Sequence, residues 1–212
     1  MSNPSLQHYN YLNNIFSYLV STKNYGLDLT LFQQSAANSQ DINLKGISDA
    51  DWGGDLDSRK STTANIFTLS KENSNTIAIS WLSKLQKIVT ISSAKAEYIA
   101  LKEATKESLY LQNFIKELLS YEALEELNIF NKVNTIKTNS LSAIELAKNP
   151  IYYARTKHVD ITFHLIRDNL LKNNIHLVHE NTSTILADNL TKATSIPKFR
   201  DLVTRINLIR LE

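Results

Sequence analysis

With 212 residues, 42% of them hydrophobic, the chain is long enough to bury one substantial core. It contains no cysteine, which excludes a disulfide framework, a thiolate metal site and a cysteine nucleophile. A formal net charge of +2 permits binding to a polyanion without demanding it. There is no membrane-length apolar run and no basic-then-apolar leader, so an intracellular, non-secreted protein with no membrane partner is expected.

Residues 3–21 read as a helix, with Asn3 as cap, Pro4 at the first helical position, and Leu6, Tyr9, Leu12, Ile15, Phe16 and Leu19 at three-to-four spacing. Gly26 offers a stop nearby. The polar run QQSAANSQ, residues 33–40, has no periodicity and reads as a linker. Three strands are expected next, over Leu44–Asp51, Ala64–Ser70 and Thr76–Ser83. In the third, Ile77, Ile79 and Trp81 alternate with smaller or polar residues, as in a half-buried strand. A long helix follows over Ser93–Leu119, capped by Ser92 or Ser93. Then come a strand over Val133–Thr138, helices over Ser140–Lys148 and Val159–Leu171, a strand over Ile175–His179, and a closing helical region from Ile185. A meander followed by alternation predicts an α/β fold, a mixed sheet flanked by helices.

Four positions stand out on these elements. Asp49 lies toward the end of the first strand, in ISDADWGGD. Glu97 lies in the first turns of the long helix, and Ala100 and Ala104 share its face. A carboxylate on a face that packs against a sheet needs a cation or a hydrogen-bond network. Asn139 ends the fourth strand, and Asp188 opens a helical segment, where an acid also suits the helix N-terminus. Each acid alone has a plainer explanation: Asp49 and Asp51 as turn residues, Asp188 as a helix-start acid, Glu97 as a solvated helix residue. Their joint placement is what matters, since acids that converge without a metal repel one another.

Six runs carry a resemblance: SDADWGGDLDSRKSTT (48–63), ISWLSKLQ (79–86), SSAKAEYIALKEA (92–104), SAIELAKNP (142–150), RTKHVDITFHLIRD (155–168) and ADNLTK (187–192). In this order they resemble the ribonuclease H domain of copia-type LTR retrotransposon Pol polyproteins, and residues 2–32 resemble the end of the preceding reverse transcriptase. The resemblance implies a ribonuclease H-like fold, a five-stranded mixed sheet flanked by helices and preceded by a short N-terminal helical segment. The implied organisation is a reverse transcriptase remnant over 1–32, a linker over 33–42, the ribonuclease H-like domain over 43–195 and a C-terminal helix over 196–212. The implied activity is hydrolysis of the RNA strand of an RNA–DNA hybrid by two Mg²⁺ or Mn²⁺ ions, with no small-molecule cofactor and with reverse transcriptase as a partner. It makes Asp49, Glu97 and Asp188 metal ligands. The fourth acid of the family falls at Thr138-Asn139-Ser140, and here it is Asn139.

Two-metal hydrolysis uses ions ~3.5–4 Å apart, one activating water and the other stabilising the leaving oxygen. An amide removes one negative charge and cannot bridge two ions, and even an outer-shell loss costs about 10–100-fold. Asp51 is displaced from Asp49 by roughly 6–7 Å along the strand and is no ready substitute, and Glu145 lies well past Asn139. Arg59, Lys60, Lys84, Arg155, Lys157 and His158, with Lys87 near them, suit phosphate contacts; a solvated basic loop is the other reading of Arg59, Lys60, Lys84 and Lys87, and a helix-start contact that of His158. His179 reads as a strand-end histidine or a proton-transfer group, and Trp52 and Trp81 as core or rim aromatics. Impaired hydrolysis is therefore expected, and the alternative is an inactive remnant that binds nucleic acid without cutting it. The absent polymerase core, Ala94 and Lys95 in place of the usual Thr-Glu, and Ala193 in place of a proline agree with that alternative.

Overall fold

The computed structural model describes residues 4–29, 42–71, 76–119, 133–149 and 160–211. Arg155, Lys157 and His158 lie outside the described residues, as does the linker apart from Ile42.

The chain starts with helix α1 (Leu6–Thr22) and strand β1 (Tyr25–Leu27). Ser5, rather than Asn3, caps α1, with its N–H and Oγ both 2.9 Å from His8 Nδ1, so Pro4 precedes the helix. Gly26 does not stop the helix; it sits in β1. A meander of β2 (Ile42–Asp51), β3 (Thr62–Lys71) and β4 (Thr76–Leu85) follows. Then come α2 (Ser93–Leu118), β5 (Asn134–Thr138), α3 (Leu141–Lys148), α4 (Asp160–Leu171) and β6 (Ile175–His179). The chain closes with α5 (Asp188–Thr191), α6 (Ile196–Arg205) and β7 (Leu208–Arg210). The C-terminal helix ends at Arg205 instead of running to 212, because Asn207 takes a positive φ of 59° and turns the chain into β7.

Five strands form one sheet in the order β4-β3-β2-β5-β6. The meander strands pair antiparallel, while β2–β5 and β5–β6 pair parallel. This is the expected five-stranded mixed α/β sheet flanked by helices. On one face, Leu44, Phe67 and Ile136 pack with Tyr98, Leu101, Ala143, Ile144 and Ile166 from α2, α3 and α4. Ala96, Ala100 and Ala104 are fully buried, and their small side chains let α2 lie close to the sheet. Gly46 serves the same packing: a Cβ there would fall 2.7 Å from the Phe67 ring. On the other face, Ile47, Ala64 and Ile66 pack with Ile185, Leu186, Ala187 and Leu202.

A small second sheet pairs β1 with β7 antiparallel. Asp28 N–H donating to the Asn207 carbonyl (3.0 Å) extends this pairing, and the small sheet is fastened to the core by Ala78 N–H donating to the Ile206 carbonyl (3.5 Å), with Leu27 and Ile206 packed on the second cluster. Helix α1 is different: none of its residues is buried. No described helix is long and apolar enough to cross a membrane.

The expected Ile77–Ile79–Trp81 alternation breaks at a register shift between Phe67 and Thr68. Thr68 faces Ala78 while Phe67 faces Ser80, so Ile79 is the extra residue of a bulge. One extra residue exchanges the two faces beyond it. Trp81 therefore shares a face with Ile66 at the sheet edge and is 61% exposed, not core.

Candidate active site

Parallel register explains why Asp49 and Asn139 meet. Ser48 pairs with Thr138 on adjacent parallel strands, so the next residue of each chain emerges at the same sheet end. The carboxyl ends of parallel strands are where open α/β sheets place ligands. The N-terminal turn of α2, capped by Ser92 Oγ accepting from Lys95 N–H at 3.3 Å, carries Glu97 toward this end. Asp188, at the start of α5, arrives from the opposite face, where Ser83 Oγ donates to the Leu190 carbonyl at 2.7 Å. All three acids are buried.

The hydrogen bonds are specific. Asn139 Nδ2 donates to Asp49 Oδ1 at 3.1 Å, and Thr191 Oγ1 donates to Asp49 Oδ2 at 2.8 Å. In this orientation the amide N–H meets the carboxylate, whereas the turned-over amide would set its oxygen against a carboxylate oxygen. Asp188 Oδ1 lies 2.6 Å from Lys192 Nζ, and Oδ2 lies 3.3 Å from Lys198 Nζ. Burial raises the Asp49 carboxyl above its ordinary range, against the Thr191 hydrogen bond, and Asp188 raises it further. Burial pushes Glu97 up to about 8, helped by the charges of Asp49 and Asp188 and opposed by the Ala50 N–H. Its Oε2 is buried without a hydrogen-bond partner. The hydrogen bond to Asp188 raises Lys192 and keeps it charged.

A divalent ion such as Mg²⁺ takes hard oxygen donors in a compact octahedron. The three carboxylates have that chemistry, and the unpartnered Glu97 Oε2 could serve an ion. Their present arrangement does not fit one: among the described residues, no three acids or histidines converge into a metal-holding group. Each oxygen of Asp49 and Asp188 faces a donor from the chain itself.

The structure brings Asp49, Glu97, Asp188 and Asn139 to one sheet end. Arg59 is exposed in the β2–β3 loop, next to Lys60. That loop turns at Gly53, whose φ is +63°. Lys84 is exposed on the sheet face opposite Asp49, because Ser83 is the residue aligned through Ala64 with Asp49. His179 is exposed beside the site, paired with Thr138. Trp52 is a rim residue, 53% exposed, its Nε1–H held 3.0 Å from the Thr90 carbonyl. Sequence reasoning missed Thr191, Lys192 and Lys198 as partners of the acids. For the first two the signal was available: they sit three and four residues after Asp188, one helical turn on.

No protein-family model matches the chain. It is 39% identical over 199 residues to the retrovirus-related Pol polyprotein from transposon TNT 1-94 of Nicotiana tabacum, covering 94% of this chain. It is 32% identical over 212 residues to that from transposon RE1 of Arabidopsis thaliana, covering 100% of this chain. The chain belongs to the copia-type retrotransposon Pol family. It spans 13% of the length of each of these polyproteins. A 110-residue stretch is also 41% identical to the secreted RxLR effector protein 161 of Plasmopara viticola, covering 52% of this chain and 69% of that protein. Among solved structures, LC11-RNase H1 in complex with an RNA/DNA hybrid aligns with a TM-score of 0.45 and 18% identity, over 70% of this chain and 93% of that one. At that level the likeness adds no weight to the family assignment, which rests on the Pol relatives.

Proposed function

We propose that this Pol-family segment is a ribonuclease H-like domain that binds RNA–DNA hybrid inside the cell and whose hydrolysis of the RNA strand is impaired. Asp49, Glu97 and Asp188 are the inherited ligands for the Mg²⁺ or Mn²⁺ ions of the family reaction, and Asn139 stands in the fourth acid's place. Arg59 and Lys60 supply phosphate contacts, and a reverse transcriptase is the natural partner for delivering the hybrid.

One observation carries this reading: Asn139 Nδ2–H points at Asp49 Oδ1 from 3.1 Å. Where a fourth carboxylate would add negative charge and attract cations, this chain presents a donor that repels them and occupies a ligand oxygen. Loss of a charged partner should slow turnover by about 10–100-fold or more. Cleavage of an end-labelled hybrid by the chain and by Asn139→Asp, in Mg²⁺ and in Mn²⁺, measures this. The aspartate variant is expected to cut at least tenfold faster; equal turnover by the unaltered chain would overturn the proposal.

A further inference from the structure

We infer that Lys192 and Lys198 are built-in counter-ions of the acid cluster, and that a divalent cation reaches Asp188 only by displacing them. This deepens the proposed function and rests on its reading of the acids as inherited metal ligands. The Asp188 side chain is 4% exposed, and each of its oxygens has its own ammonium group, Lys192 at 2.6 Å and Lys198 at 3.3 Å. A carboxylate buried this far needs compensating charge. Two ammonium groups bring two positive charges, the charge of one divalent ion.

The two lysines reach Asp188 independently. Lys192 follows α5, one turn beyond the acid it touches. Lys198 comes from α6, whose position is fixed by buried Leu202 and by the β7–β1 pairing beyond it. Both lysine side chains are about half exposed, at 49% and 51%, so their tips stand at the mouth of the site. A cavity of about 580 Å³ opens there, lined by Asp188, Lys198, Asp201 and Arg205 among others. It gives Lys198 room to swing out and a hydrated ion room to enter. Half-exposed ion pairs are individually weak, so the exchange is a competition rather than a block.

Mn²⁺ alone, titrated into the full chain at low ionic strength and followed by the magnetic resonance signal of the free ion, tests this without reference to turnover. Lys198→Met, Lys192→Met and the double variant are compared with the unaltered chain, and Lys198→Arg keeps the charge. Removing one competing pair should tighten Mn²⁺ binding at least threefold and removing both should do so further, with Lys198→Arg unchanged. Lys198→Gln replaces the Met variant if circular dichroism shows that variant unfolded. A gain under threefold in the double variant, including no measurable binding in any protein, overturns the inference. The cleavage comparison with Asn139→Asp touches neither lysine. If that variant gains activity while the titration fails, only the counter-ion inference falls.

Discussion

At the scale of single residues, Glu97 is the group with the sharpest consequence. Burial and the neighbouring acids hold its proton up to about pH 8, against an ordinary value of 4.5. Between those values the folded chain binds a proton that the unfolded chain releases, so folding stability falls as pH rises through this window. The contribution is complete below about 4.5 and lost above about 8. Shared with the coupled Asp49, it amounts to on the order of a few kcal/mol. Urea unfolding in chelator, from pH 5 to pH 9, should show the midpoint falling steadily. Glu97→Gln, which keeps the shape and removes the ionisation, should flatten that slope and be the more stable protein at pH 9. A slope shared by both proteins would assign the effect to other groups. Gly46 carries a simpler lesson at the same scale. Its missing side chain is where the Phe67 ring sits, so the β2 sequence is chosen by packing across the sheet as well as by strand propensity.

At the scale of elements, helix α1 and strand β7 contribute oppositely to what their lengths suggest. The 17 residues of α1 bury nothing, and an edge-on contact of Tyr18 with Phe199 at 6.2 Å is its described aromatic link to α6. The three residues of β7 close the second sheet, beside Ile206, which packs against the second cluster, and Asn207, which is bonded to Asp28. Deleting residues 1–22 should therefore change the melting temperature by no more than about 3 °C, the scale of one aromatic pair. Ending the chain after Arg205 should remove about 2 kcal/mol and lower it by about 4–8 °C. Thermal melts of the two truncations against the full chain check both, and the reverse ranking would refute this account. The same contrast shows what the sequence makes legible. The meander, α2 and the two parallel strands carry long periodic patterns, and their order brings Asp49, Glu97, Asn139 and Asp188 together. A three-residue strand has no periodicity, and β7 pairs with a segment near the other end of the chain, so nothing local announces it. The bulge at Ile79 is hidden for a related reason: the alternation reads as continuous until the partner strand shows which residue is extra. Nothing local marks Lys198, because only the packing of α6 against α5 reveals that it reaches Asp188.

At the scale of the whole molecule, charge sets how the domain would hold a nucleic acid. The net charge is only +2, and the acid cluster is largely compensated from within by Lys192 and Lys198. Compensation leaves these lysines unavailable to phosphates while they hold Asp188, and Lys84 lies on the sheet face opposite Asp49. A hybrid lying across the sheet end would then meet few cations, Arg59 and Lys60 foremost among the described residues. Engaging two to four phosphates gives a log–log slope of affinity against salt of about −1.8 to −3.6, that is, a loss of roughly 10–150-fold between 50 and 200 mM salt. Fluorescence anisotropy of a labelled hybrid across that range, in chelator so that no cleavage intervenes, measures the slope directly. Arg59→Ala with Lys60→Ala should weaken binding and flatten the slope by about two. An unchanged slope in that variant would move the duplex to another face of the domain. A slope near zero in the unaltered chain would mean that its binding is not made through phosphates at all, and the ancestry written in Asp49, Glu97 and Asp188 would then survive only in the fold.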